Sequence, residues 1–286
     1  CASGNGNTER RGDGNTDRRR VSGCGGRRLQ MIRAAFFDID DTLLAHSIGG
    51  VPEDTKCALA RLKERGVRVF TCTGRHILEL NELGITELGF DGHVLLNGQL
   101  CLDGKGRVLA QWPVYEEDIQ SILPIFREKV VPMSFVEQGR IYINFIDDRV
   151  RTAQQAISSE LPKLGDWKGD RVYLVNVYDD DEAAEKILNR MPHCKMTRWN
   201  AYGVDIIAKD GGKEKGMEQI LSGMGILPEE TIAFGDGEND MGMLRFAGIG
   251  VAMGNSEERV KACADYVTKD ADQGGILSAL RHFKIL

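Results

Sequence analysis

The chain has 286 residues, 42% of them hydrophobic, with 37 Lys and Arg against 43 Asp and Glu for a formal net charge of −6. That is enough apolar material for one large or two modest domains, and no run approaches the roughly 18 apolar residues of a membrane span. The acidic balance argues against nucleic acid as a partner.

The charge is unevenly spread. Residues 1–30 carry seven Arg, no Lys and only Glu9, Asp13 and Asp17, so they sum to +4 and leave −10 on the rest. They hold seven Gly and almost nothing apolar beyond Val21 and Leu29, too little to offset the entropy of ordering them. The expectation is a disordered tail or a non-native extension, with Met31 the natural start and no apolar core of a secretory signal. The seven Cys form an odd set without a CxxC, which points to a reducing cytoplasm rather than a disulfide framework. The five His show no metal-ligand spacing.

From Met31 the pattern predicts strands and helices in alternation. An apolar run at 32–39 reads as a strand buried on both faces, followed by a helix at 53–65 that stops at Gly66. A strand at 67–72, a helix near 76–83 and a strand at 93–96 come next. The alternation resumes with a helix at 214–224, strand 231–234, helix 239–246, strand 249–252, helix 256–263, strand 265–268 and a last helix from 275. Such alternation implies an α/β fold, a Rossmann-like parallel sheet with helices on both faces. The middle reads instead as helix 116–129, strands 133–137 and 141–146, helix 149–160, strand 171–178, helix 181–190 and strand 195–199. This mixed order predicts an α+β unit at 115–203, inserted between core segments 31–114 and 204–286.

Four polar stretches follow a predicted strand or open a helix, and in an open parallel sheet such places gather at one edge. Asp38-Ile39-Asp40-Asp41-Thr42 ends the first strand, with Asp38 and Asp40 on one side of extended chain. Two clustered carboxylates stay ionised only beside a cation or hydrogen-bond donors, unless this is simply an acidic surface turn. Thr73-Gly74-Arg75 offers a hydroxyl and free amides suited to a phosphate, or an ordinary strand exit. Gly211-Gly212-Lys213 opens a helix, where a lysine adds to the positive dipole end or only to solvated charge; Ile207 stands where a Walker A loop needs its first Gly. Gly235-Asp236-Gly237-Glu238-Asn239-Asp240 supplies oxygen ligands for a hard cation or a tight acidic turn, and Met241 excludes an EF-hand.

As an ordered set these motifs resemble the haloacid dehalogenase (HAD) superfamily, and specifically its Cof-type branch, which carries an α+β cap between the second and third motifs. Asn97-Gly98 and the stretch from Val251-Ala252-Met253-Gly254-Asn255 to Ala264-Asp265-Tyr266-Val267 strengthen the likeness, which covers 31–286. The resemblance implies a Mg²⁺-dependent phosphatase of small phosphate monoesters, such as sugar or cofactor phosphates, working through an aspartyl-phosphate. Asp38 would be the nucleophile and Asp40 the general acid and then base. Asp38, the Asp40 carbonyl, Asp236 and Asp240 would hold the metal, Asp240 directly or through water. Thr73, the Gly74 amide, Lys213 and Asn239 would bind the phosphoryl oxygens, with Lys215 the alternative lysine. Thr42 would fix the loop.

The chain departs from the family at Asp41, where Gly is usual; Asp tolerates a positive φ better than most residues. Arg140, Arg198, Trp199 and Asn200 are candidates for the cap's substrate-facing side, and His76 flanks the site. The expected partner is a small phosphorylated metabolite, with no nucleic acid or membrane, and the protein a cytoplasmic monomer or homodimer. Two rivals remain: a phosphomutase of the phosphomannomutase type, and a catalytically silent phosphate-binding module.

Overall fold

The computed structural model describes residues 31–157 and 159–286; the arginine-rich segment 1–30 lies outside the described residues. The chain forms β1 (Ala34–Phe37), α1 (Glu53–Glu64), β2 (Arg68–Cys72), α2 (Ile77–Glu82), β3 (Gly92–Leu95), β4 (Leu100–Asp103) and β5 (Val108–Gln111). It continues through α3 (Glu116–Arg127), β6 (Met133–Glu137), β7 (Ile141–Ile143), α4 (Asp148–Ala156), β8 (Lys163–Leu164), β9 (Val172–Val177), α5 (Asp181–Leu188), β10 (Cys194–Asn200) and β11 (Gly203–Ala208). It closes with α6 (Lys213–Met224), β12 (Thr231–Gly235), α7 (Met241–Phe246), β13 (Ile249–Ala252), α8 (Glu258–Lys261), β14 (Tyr266–Val267) and α9 (Gly275–His282).

The first sheet runs β14-β13-β12-β1-β2-β3-β4-β5. It is parallel from β14 to β3, so β1, β2 and β12 present their carboxyl ends at the same edge. These strands are mostly apolar, as suits a sheet covered by helices on both faces: one buried cluster contains Phe37, Phe234 and Leu280, the other Phe36, Phe70 and Met217. The antiparallel hairpin β4–β5 extends this sheet beyond β3, an addition that the sequence pattern does not predict.

The second sheet runs β10-β11-β9-β6-β7-β8, antiparallel except between β7 and β8, and packs α3 and α5 against its own apolar cluster around Phe126 and Phe135. The predicted boundary at 204 needs correction: β11 belongs to this second sheet, so the chain returns to the first sheet through 209–212. A buried acid, Asp205, at the centre of the strand hides this element from pattern analysis. The outgoing and returning passages lie side by side, joined by Tyr115 Oη donating to Asp210 Oδ2 at 2.8 Å, while Lys195 Nζ of β10 donates to the Gly211 carbonyl of the returning one at 2.8 Å. Apolar contact also crosses between the sheets, since Val136, Tyr173, Leu174 and Ile207 share a buried cluster with Leu95 and Leu96. Among the described residues, no helix is long and apolar enough to cross a membrane.

Candidate active site

Asp38 leaves β1 at the parallel edge, its amide bonded to the Phe234 carbonyl of β12 at 2.9 Å and its side chain nearly buried. Lys213, the first residue of α6, is 2% exposed and lies between two carboxylates. Its Nζ donates to Asp38 Oδ1 at 2.7 Å and to Asp240 Oδ1 at 2.6 Å. The other oxygen of Asp240 accepts the Asp236 and Gly237 amides at 2.9 Å each, so this buried carboxylate shapes the loop after β12. Thr42 Oγ1 donates to Asp236 Oδ1 at 2.8 Å.

Carboxylate oxygens of Asp38, Asp236 and Asp240 come within 4.8 Å of one another. Burial, and then the Asp240 charge, push the Asp38 carboxyl up, with Lys213 pulling it back. Burial and repulsion from Asp38 and Asp240 push Asp236 up as well. Burial disfavours the charged Lys213, but the two carboxylates outweigh it and hold the ammonium protonated. Three clustered acids against one lysine leave net negative charge in a buried place, which fits a hard divalent cation on oxygen ligands. Asp38 and Asp236 each keep an oxygen without a protein donor among the described residues, whereas Asp240 is engaged at both oxygens.

Asp40 faces a different environment. Arg75 grips it as a fork, Nε to Oδ2 and Nη2 to Oδ1, both 2.7 Å, while His46 Nε2 lies 2.8 Å from Oδ1. Burial alone would raise this carboxyl, but the hydrogen bonds from His46 and Arg75 and the arginine's charge hold it down at about 2. The guanidinium is itself buried and also donates to the Ile157 carbonyl and Ser159 Oγ, both 2.7 Å. The next residue, Asp41, takes φ +52°, the left-handed conformation that explains Gly in the family and that Asp accepts at modest cost. Its carbonyl is tied down by Asn255 Nδ2 at 2.9 Å.

Thr73 follows β2 with its oxygen accepting the Arg75 amide at 3.1 Å, which leaves its hydroxyl hydrogen free to donate outward. Gly74 is backed by Asn97: a Cβ there would sit 3.2 Å from Asn97 Oδ1. Asn239 Nδ2 donates to that same Oδ1 at 2.9 Å, Asn97 Nδ2 donates to Asp205 Oδ2 at 2.7 Å, and Asn176 Nδ2 donates to Asp205 Oδ1 at 2.7 Å.

These groups open onto a cavity of about 770 Å³ between the two sheets, lined by Asp38, Asp40, Thr73, Gly74, Asp236 and Asn239. Lys213 and Asp240 stand behind the lining. Of the residues expected to face the substrate, Arg140, Arg198, Trp199 and Asn200 do line the cavity. His76, expected only to flank the site, is outside this lining: it is buried, caps α2 by accepting the Leu78 amide, and lies 3.0 Å from the Glu137 carbonyl. Lys215 is exposed and pairs with Glu218 at 3.0 Å, away from the acids. The sequence pattern assigns no role to Arg75, His46, Asn176 or Asp205. Arg75 stands inside the second motif, and Asn97 beside Gly98 is the available pointer to Asp205.

Comparison with known proteins agrees with this geometry. Residues 35–280 match the family model of the haloacid dehalogenase-like hydrolases. The Bacillus subtilis (strain 168) protein YkrA is 29% identical over 254 residues, spanning 88% of this chain and 97% of that one. The structure of BT4131, described as a HAD subclass IIB sugar phosphatase, superposes with a TM-score of 0.79 at 34% identity, covering 89% of this chain and all of that one. BT1666 from Bacteroides thetaiotaomicron, described among phosphatases of the same superfamily, gives 0.83 at 28% identity over 93% of this chain and all of its own. The chain belongs to the haloacid dehalogenase-like hydrolases, in their Cof-type branch.

Proposed function

We propose that this hydrolase is a Mg²⁺-dependent phosphatase of small phosphate monoesters, with sugar phosphates the favoured class by its likeness to BT4131. The observation that carries the reading is Asp38 at the cavity floor, beside Asp236 and Asp240 and held by the buried Lys213. Asp38 and Asp236, with the Asp40 carbonyl, would hold Mg²⁺, and Asp240 would support them. The bound ion would offset the clustered charge and act as a Lewis acid on phosphoryl oxygen.

In the first half-reaction a carboxylate oxygen of Asp38 attacks phosphorus as the ester bond breaks, giving an aspartyl-phosphate. The leaving oxygen takes its proton from Asp40. Asp40 is held ionised by Arg75 and His46, and a phosphate dianion arriving beside it favours the protonated form that the first step needs. Asp40, ionised again, then removes a proton from water, which attacks phosphorus and regenerates Asp38. Thr73, the Gly74 amide, Asn239 and Lys213 stabilise the phosphoryl oxygens as charge moves between them. The cavity is of the size that encloses a small metabolite and excludes water from the reacting bond. The described cysteines, all unpaired, support a reducing cytoplasm, and a monomer or homodimer is the simplest assembly.

The test is phosphate release from a panel of esters, with Mg²⁺ and again with chelator. Release that chelator abolishes and Mg²⁺ restores supports the reading; no release from any ester ends it. Isomer formation without free phosphate would mark a phosphomutase. Asp38→Asn should lower turnover by at least about 1,000-fold, since the amide is no nucleophile. Full activity in that variant would remove Asp38 from its role.

A further inference from the structure

Asp205 lies in the middle of β11, on the second sheet, well outside the motifs that supply the chemistry. It is almost fully buried, and burial pushes its carboxyl up to about 7. A buried acid at such a cost calls for a reason. Its two oxygens accept from two different amides: Oδ1 from Asn176 on neighbouring β9, and Oδ2 from Asn97 in the turn between β3 and β4 of the first sheet, both at 2.7 Å. Asn97 is itself buried and takes a left-handed conformation, φ +55°, which lets it reach both sheets.

The chemistry of these groups has a direction. Above about pH 7 Asp205 is ionised, and a carboxylate accepts hydrogen bonds and cannot donate them. Facing Asp205, the Asn97 amide must therefore present its NH2, and its carbonyl oxygen is turned the other way. That oxygen meets Asn239 and must be met in turn by an NH2, which it is, at 2.9 Å. The NH2 of Asn239 is thereby turned toward Asn97 and the cavity, with its second hydrogen free to donate. Without an acceptor-only group at the far end, both amides could rotate by half a turn with the hydrogen bonds reversed. Asn239 would then show an oxygen where a phosphate oxygen must sit.

We propose that Asp205 is a positioning residue that acts through Asn97 to fix the amide of Asn239 as a donor to the phosphoryl group. The inference rests on the reading of Asn239 as a phosphate ligand. It also makes phosphate affinity depend on the second sheet being seated against the first, because the chain of amides begins on one sheet and ends on the other. Asn176 completes the arrangement by satisfying the second oxygen of Asp205, so that no other orientation competes.

The experiment uses the full chain with Mg²⁺ at about pH 8.5, where Asp205 is ionised, and measures inorganic phosphate binding by calorimetry alongside kcat and KM for one ester. Asp205→Asn keeps shape but removes the acceptor-only end, and should weaken phosphate binding and raise KM by about 10-fold while kcat changes by less than about threefold. Asn97→Asp alone sets two carboxylates face to face and should weaken phosphate binding more severely. The double exchange Asn97→Asp with Asp205→Asn restores the direction: the amide introduced on β11 donates to the carboxylate introduced on the first sheet, whose other oxygen accepts from Asn239. It should bind phosphate better than either single variant. In an Asn239→Ala background, Asp205→Asn should add no further loss.

Unchanged phosphate affinity in Asp205→Asn, or a double exchange no better than the worse single variant, overturns the proposal. So does a loss that persists in the Asn239→Ala background, which would make the role of Asp205 one of packing or of direct contact within the cavity that it lines. A wild-type chain that binds phosphate but hydrolyses no ester removes the phosphatase reading and leaves the binding series to decide this one. A wild-type chain that does neither removes both. Should Asn97→Asp fail to fold, recovery of a folded, phosphate-binding protein by the double exchange supports the direction of the chain of amides, and no recovery counts against it.

Discussion

Lys213 and Lys215 sit two residues apart and have opposite fates. The first enters the helix where its stem passes through the core and its ammonium meets Asp38 and Asp240; the second points outward to Glu218. Removing one partner of a buried ion pair leaves charge without compensation, which costs about 3 kcal/mol or more. Lys213→Met should therefore lower the denaturation midpoint by a corresponding amount and abolish phosphate release, while Lys215→Met should leave both unchanged. Parallel urea melts and turnover assays check the pair, and equal behaviour would mean the two lysines were assigned the wrong way round. Three of the motifs are legible in the sequence because each follows a strand whose apolar run is easy to see, and the Lys213 stretch because it opens a helix. The pairing of Asp40 with Arg75, or Asn97 with Asp205, is not, since contacts 35 and 108 residues apart leave no periodic trace. Local pattern reports burial, and only the assembled edge reports which polar groups meet.

At the scale of elements, the turn after β3 decides where α6 begins. Gly98 has φ +86°, and a Cβ there would fall 2.0 Å from the Gly212 carbonyl oxygen and 2.7 Å from the Lys213 nitrogen. Backbone must move to admit it. Gly98→Ala should cost about 2 kcal/mol or more and displace the start of α6, so KM for phosphate esters should rise even where the variant stays folded. Thermal melts and initial rates check this; a variant of unaltered stability and KM would show that α6 is placed from elsewhere. The strands β1, β2, β12 and β13 are legible as continuous apolar runs. The hairpin β4–β5 escapes because its outer strand is largely exposed and carries no inward alternation, and β11 escapes because an acid interrupts it. Both failures have one cause: a strand's signature weakens where it sits at an edge or carries a buried polar group.

For the whole molecule, the acid cluster makes stability depend on pH and on divalent cations together. Asp38 and Asp236 have carboxyl groups raised above their unfolded values. A raised carboxyl contributes stability while it keeps its proton, and that contribution is lost as pH climbs from the unfolded value toward the folded one. A divalent cation replaces the missing protons, so its benefit must grow over the same range. The melting temperature gained from Mg²⁺ over chelator should thus increase from about pH 5 to about pH 8. It should shrink in Asp236→Asn. A gain that is flat with pH and indifferent to that substitution would place the cation elsewhere.

The returning passage, whose Asp210 is latched to Tyr115 of the outgoing one, ends one residue before Lys213. A swing of the second sheet about that passage would pivot within a few residues of the lysine. In a lever the load travels and the fulcrum does not. Strands far from the pivot would travel farthest in such a swing. The ammonium that steadies Asp38 would travel least, and would need no resetting between turnovers.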